Sequence, residues 1–192
     1  ISIFVYLMQA VWGSHVLPVD TSVYNFITKH FISDTLTPIM RVITQFGGTI
    51  LMIVWAIASL VLITNKRIAV SVVSNLVLIA LLNNILKLIV RRARPTGFRL
   101  ITETGYSFPS GHSMVSMAFY GYLIYLIHKN VRNTKLRWTL MTGFGLLIFI
   151  IGMSRIYLGV HYTSDVFAGF LFSLGYLVVY IKMTDPIVFQ KK

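Results

Sequence analysis

The feature that most limits what this chain can become is a succession of long apolar stretches separated by short loops rich in arginine and lysine. Roughly 20 consecutive apolar residues cross the hydrocarbon core of a bilayer as a helix, where irregular backbone cannot satisfy its own hydrogen bonds. Six stretches qualify as candidates: Ile1 to about Trp12, too short to cross alone; Arg41 to Ile63, with Gly47 and Gly48 near its start; Ile68 to Val90; His112 to Ile127; Trp138 to Met153; and Val166 to Ile181. No linker or long repeat divides them. Residues 1–192 therefore read as one all-α domain, an integral membrane six-helix bundle. The chain begins with Ile, which is read as the loss or absence of upstream residues, with a cleaved signal peptide as the rival explanation.

Charge narrows the class further. With 56% apolar and 11% charged residues, the chain departs from any soluble domain of its length. Five acidic residues are too few for a carboxylate-built metal cage, and 17 Lys and Arg leave a net charge of +12. Those cations are expected to serve membrane orientation, anionic lipid or anionic substrate. A nucleic-acid partner is set aside, because it requires basic residues gathered on one solvated face. Without cysteine there is no disulfide, thiolate metal site or cysteine nucleophile.

Within the apolar stretches, Gly143, Gly145, Gly152, Gly169, Ser173 and Gly175 are read as small residues that let membrane helices approach. Ser71, Asn75, Asn83 and Asn84 are read as bonding between helices. Ser14 to Met40, with Phe26, Ile27, Phe31, Ile32 and Leu36 among scattered charges, is read as an amphipathic segment on the membrane surface, with an ordinary ordered loop as the alternative.

Alternating the loops places Lys66, Arg67, Lys129, Arg132, Lys135, Arg137, Lys182, Lys191 and Lys192 on one side. Lys29, Arg41, Arg91, Arg92, Arg94, Arg99 and Arg155 fall on the other, with Lys87 at its boundary. The positive-inside rule marks the first set as cytoplasmic. If Lys87, Arg94 and Arg155 are held outside by chemistry, the balance becomes nine against five. Three polar clusters then share the extracytoplasmic mouth: Lys87 to Pro95, Tyr106 to His112 and Ser154 to Asp165.

Each cluster has a chemical reading beside a plainer one. Lys87 and Arg94 can converge, because Pro95 holds Arg94 extended and ends any helix there; taken alone, Lys87 is also a snorkelling interface lysine. Arg91, Arg92 and Arg99 are read as a solvated or headgroup-facing rim. Pro109, Ser110, Gly111 and His112 stand where a helix should start, so unpaired amides and the helix dipole favour an anion; a plain helix cap is the alternative. His161 and Asp165 are four residues apart, on one face if a helix has begun. There the carboxylate can fix one imidazole nitrogen and leave the other free to attack. Two histidines and one carboxylate among cations disfavour a divalent metal ion.

Lys87 with Arg94 and Pro95, then Pro109 to His112, then Ser154 and Arg155 with His161 and Asp165, resemble the three ordered motifs of the phosphatidic acid phosphatase type 2 superfamily. The resemblance is complete at every motif position, covers Lys87 to Asp165 directly and extends to the six-span layout. It implies that His161 attacks phosphorus to form a phosphohistidine and that Asp165 holds its ring. It further implies that His112 protonates the leaving group and later activates water, while Lys87, Arg94, Arg155 and the amides near Ser110 and Gly111 bind phosphoryl oxygens. No cofactor and no metal is expected, fixed cations doing the work of magnesium.

The expected partner is a phosphorylated lipid held in a multi-pass cell membrane protein. Phosphatidylglycerophosphate, phosphatidic acid and undecaprenyl diphosphate fit the motifs equally, and the sequence leaves the oligomeric state open. A lipid phosphotransferase using the same intermediate, or a non-enzymatic lipid-phosphate binder or transporter, are the alternatives.

Overall fold

In the computed structural model, which describes residues 2–12 and 15–189, the polypeptide is helical throughout its ordered elements, and no strand occurs among the described residues. Among the described residues eight helices stand where the sequence predicts six: α1 (Ser2–Ala10), α2 (Pro18–His30), α3 (Leu36–Gln45), α4 (Thr49–Leu62), α5 (Lys66–Val90), α6 (Gly111–Asn130), α7 (Thr134–Tyr157) and α8 (Thr163–Val188). Local chemistry sets most of their ends. The side chains of Asn65, Ser110 and Asn133 cap α5, α6 and α7 by accepting from Arg67, Ser113 and Leu136 amides.

The expected second span, Arg41 to Ile63, is two helices meeting at 44° across Gly47 and Gly48. The break lets other elements close on the glycine: a Cβ on Gly47 would stand 2.8 Å from Ile151 Cγ2 and 3.2 Å from the His112 ring. Among the described residues three helices, α5, α7 and α8, are long and apolar enough to cross a membrane, or up to four spans if α3 and α4 are one bent crossing. The six-span count is thereby not reproduced. Helix α1, at nine residues, is too short, as expected, and packs on α8 with Phe4 and Phe172 ring centroids 5.0 Å apart.

Helix α6 is the hub. It packs against α5, α7 and α8, and Phe119, Tyr120, Tyr122 and Leu126 join Ile148, Ile151, Leu177 and Tyr180 in the main core. A surrounded helix can carry more polar residues than a lipid-facing one, which explains why α6 is less apolar than α5, α7 and α8. The outward faces of the surrounding helices α4, α5, α7 and α8 are the reverse: Ile57, Leu62, Val77, Leu81, Phe149 and Val179 are more than half exposed. This is the surface of a protein solvated by lipid tails.

The polar residues inside the bundle do bond across helices. Asn75 donates to the Ala118 carbonyl at 2.8 Å, Tyr122 to Ser71 Oγ at 2.9 Å and Asn83 to the Pro109 carbonyl at 3.3 Å. Asn84 instead faces the cavity described below. Of the glycines expected at helix contacts, Gly152 lies against Phe170 and Val166, and Gly169 against Ser110 and Ser113. Gly143, Gly145 and Gly175 have open space where a Cβ would stand, so they are not contact glycines.

Of the segment expected to lie on the membrane surface, Ser14 is outside the described residues, and the remainder up to Met40 holds α2 and the start of α3, with its inner side docked. Ile27 packs with Ile156, Tyr157 and Val166, and Thr37 shares a 2.9 Å hydrogen bond with Tyr157.

Candidate active site

Three connections build the site at one end of the bundle. After α5, Arg91 adopts a left-handed conformation (φ 52°) that ends the helix. The chain then runs extended toward Pro95, so side chains alternate: Arg91 and Ala93 are exposed, while Arg92 and Arg94 are buried. Between α7 and α8 the chain reverses at Gly159 (φ 72°), where the Phe98 backbone occupies the space a side chain would need. That reversal delivers His161 two residues before α8 begins.

The meeting of His161 and Asp165 was expected from a shared helix face. His161 instead precedes the helix, and Nδ1 still approaches Asp165 Oδ2 at 3.4 Å. Arg94 Nη1 lies 3.1 Å from Nε2, which therefore acts as the acceptor, leaving the ring proton on Nδ1 toward Asp165. Asp165 is fully buried and well supplied with donors: Ser107 Oγ at 2.5 Å and the Tyr162 amide at 2.9 Å on Oδ2, and Arg92 Nη1 at 2.6 Å on Oδ1. Burial pushes the His161 imidazole down to about 4, with the Arg155 and Arg94 charges acting in the same direction and Asp165 opposing them.

Arg94 is pinned by the carbonyls of Thr104, Gly105 and Val160 at 3.0, 3.0 and 2.9 Å. Arg155, 1% exposed, donates Nη1 to Thr44 at 2.7 Å and Nη2 to Glu103 at 2.5 Å. Burial alone would raise the Glu103 carboxyl, but the Arg155 charge and hydrogen bond hold it below its usual value.

These groups face one cavity of about 460 Å³, whose polar end is lined by Lys87, Arg94, Gly111, His112, Arg155 and His161 together with Glu103 and Thr104. Six of the eight residues singled out from sequence thus share its wall. Asp165 stands behind His161. Ser110 does not reach the cavity: it is fully buried, its hydroxyl caps α6, and its amide donates to the Asp165 carbonyl at 3.1 Å. Gly111 brings the α6 terminus close to Asn83, whose Oδ1 would stand 2.9 Å from an added Cβ. From the polar end the cavity continues along α4 and α5 past Met52, Ile53, Ala56, Val73, Leu76 and Val77. Among the described residues, no three His, Cys, Asp or Glu side chains group as metal ligands would.

Sequence reasoning missed an entire supporting layer. Arg92, assigned to a solvated rim, is fully buried and forks between Asp165 and Asp20, with Asp20 Oδ2 2.8 Å from Nη2. Ser164 completes the knot, donating both its amide and its hydroxyl to Asp20 at 2.8 Å. A signal for Arg92 existed: an extended stretch ending at Pro95 has period two, so if Arg94 points inward, Arg92 does too. Nothing local in the sequence pairs Asp20 with Arg92, 72 residues away.

Buried arginines, a carboxylate-held imidazole and a second histidine around one cavity in an apolar helical bundle define a class of helical membrane protein with an anion-handling site. The chain belongs to the PAP2 superfamily, whose model matches residues 68–188. It is 37% identical over 105 residues to phosphatidylglycerophosphatase B of Bacillus subtilis, covering 53% of this chain and 49% of that relative, so the match spans about half of the relative's length. It is 26% identical over 188 residues to undecaprenyl-diphosphatase of Sulfolobus acidocaldarius, covering 94% and 86% of the two chains. Among solved structures, the transmembrane PAP2-type phosphatidylglycerolphosphate phosphatase of Bacillus subtilis superposes with a TM-score of 0.81 at 25% identity, covering 99% of this chain and 96% of that one. LpxE of Aquifex aeolicus shares the fold, with a TM-score of 0.64 at 20% identity over 89% and 99% of the two chains.

Proposed function

We propose that the protein is a metal-independent lipid phosphate phosphatase that works through a phosphohistidine. In the first step, His161 Nε2 forms a bond to phosphorus as the phosphorus–oxygen bond to the lipid breaks, and His112 gives its proton to the departing oxygen. In the second, His112 takes a proton from water as the water oxygen bonds to phosphorus and the nitrogen–phosphorus bond breaks, releasing inorganic phosphate. Lys87, Arg94 and Arg155 balance charge on the phosphoryl oxygens, with Gly111 letting the α6 terminus approach them. Asp165 holds the Nδ1 proton, so the attacking lone pair stays on Nε2. Ser110 serves this reading as a cap that places Gly111 and His112.

The observation that carries the proposal is the continuity of the cavity, which joins this charged end to an apolar groove between α4 and α5. A phosphate headgroup fits the first and acyl or prenyl chains the second, with the tails remaining in the bilayer. Phosphatidylglycerophosphate, phosphatidic acid and undecaprenyl diphosphate all have that form, and the relatives' names point the same way. On this reading the protein is a multi-pass protein of the cell membrane with its site on the extracytoplasmic side, which the balance of loop cations supports.

The test is phosphate release from a panel of lipid mono- and diphosphates by purified protein in chelator. His161→Ala is expected to lose roughly a thousandfold or more, and His112→Ala roughly a hundredfold or more, against every substrate. Normal hydrolysis by either variant, or activity restored only by added magnesium, would overturn the assignment.

A further inference from the structure

Glu103 is the only carboxylate among the described residues lining a cavity that otherwise presents Lys87, Arg94 and Arg155. It sits on the connection between α5 and α6, in a stretch, Thr102 to Tyr106, that is mostly exposed and outside any helix. Its side chain is 30% exposed, against 1% for its partner Arg155. The two terminal nitrogens of Arg155 are divided between partners: Nη1 goes to Thr44, which is not part of the cavity wall, and Nη2 goes to Glu103, which is. Arg155 Nε is left without a partner, but a phosphoryl group that reaches for Nη2 meets a terminal nitrogen already bonded to another anion.

Two anions at that nitrogen repel each other, and the repulsion is little screened where Arg155 is buried. The buried arginine is fixed by Thr44 and its surroundings, so the partly exposed carboxylate is the partner that can give way. We infer that Glu103 is an internal competitor for the phosphoryl group, yielding Arg155 when phosphate binds and reclaiming it to expel inorganic phosphate after hydrolysis. This rests on the phosphatase reading, since the cavity is the same. It assigns Glu103 a specificity role that the three motifs do not contain.

The rival role, a strut that aims Arg155 at its ligand, makes the opposite prediction, so the sign of the effect decides. Full-length protein in detergent is titrated calorimetrically with inorganic phosphate, and KM is measured alongside. Glu103→Gln is expected to bind phosphate about tenfold more tightly, the loss of one charge-assisted competitor, and to lower KM. Glu103→Asp should stay near wild type. Phosphate binding by Glu103→Gln that is unchanged or weaker would overturn the inference, and Glu103→Ala carries the same sign if the glutamine variant does not fold. If wild type releases no phosphate from any lipid while Glu103→Gln binds phosphate more tightly, the phosphatase reading falls and the competitor stands. Turnover without tightening gives the reverse.

Discussion

His161 is held neutral by its surroundings. Its ordinary value is 6.5, and burial among the Arg155 and Arg94 charges brings it to about 4 despite the neighbouring carboxylate. A nucleophile must keep its lone pair, so the ring is competent at neutral pH without help from a base. NMR of ring-labelled protein is expected to show one imidazole titrating near 4, and Asp165→Asn should move it lower still, because Asp165 is the group that raises it. The same shift costs stability: between pH 6.5 and about 4 the unfolded chain binds the extra proton, so stability falls as pH drops through that window. Behind this ring, Arg92 joins Asp165 to Asp20 with no exposure at any of the three side chains. Asp20→Asn is expected to lower kcat about tenfold or more with KM little changed, and to shift the His161 titration, since a misplaced Asp165 would misplace the ring. Arg92→Lys should behave alike, because an ammonium cannot fork between two carboxylates. An unaltered His161 titration in both variants would leave Asp20 and Arg92 as packing alone. At this scale His161, His112, Lys87, Arg94 and Arg155, which share one cavity wall, were legible from the motifs; Asp20, Ser107 and Glu103 were not, because their partners lie 52 to 72 residues away in sequence.

Helix contacts show the same division between local and distant causes. Every glycine in an apolar span looks alike as sequence, yet Gly152 touches Phe170 and Val166, while Gly143, nine residues earlier on the same helix, faces open space. Gly152→Ala is therefore expected to destabilise the α7–α8 contact by about 1–3 kcal/mol, and Gly143→Ala to stay within about 0.5 kcal/mol of wild type. Thermal unfolding of both variants in one detergent provides the comparison, and equal losses would refute the packing assignment. The break between α3 and α4 belongs here as well. Two adjacent glycines were visible, but their consequence depended on Ile151 and His112 arriving from α7 and α6.

For the whole molecule, the burial of Arg92 sharpens the orientation. Removing it with Lys87, Arg94 and Arg155 from the free cations leaves Lys29, Arg41, Arg91 and Arg99 on the site's side against nine opposite. The site should then face away from the cytoplasm. The chain contains no cysteine, so single replacements report cleanly. Arg99→Cys is expected to react with an impermeant maleimide on intact cells, and Lys135→Cys only after permeabilisation; the opposite pattern would invert the proposed topology. The membrane-embedded helical class and the order of the three polar motifs were determined by sequence alone, because apolar length and motif spacing are properties of neighbouring residues. Which arginine supports Asp165, which glycine is a contact and which carboxylate pairs with Arg155 were decided only by tertiary structure. Those roles depend on side chains that burial forces to find partners, and the partners come from other helices and loops.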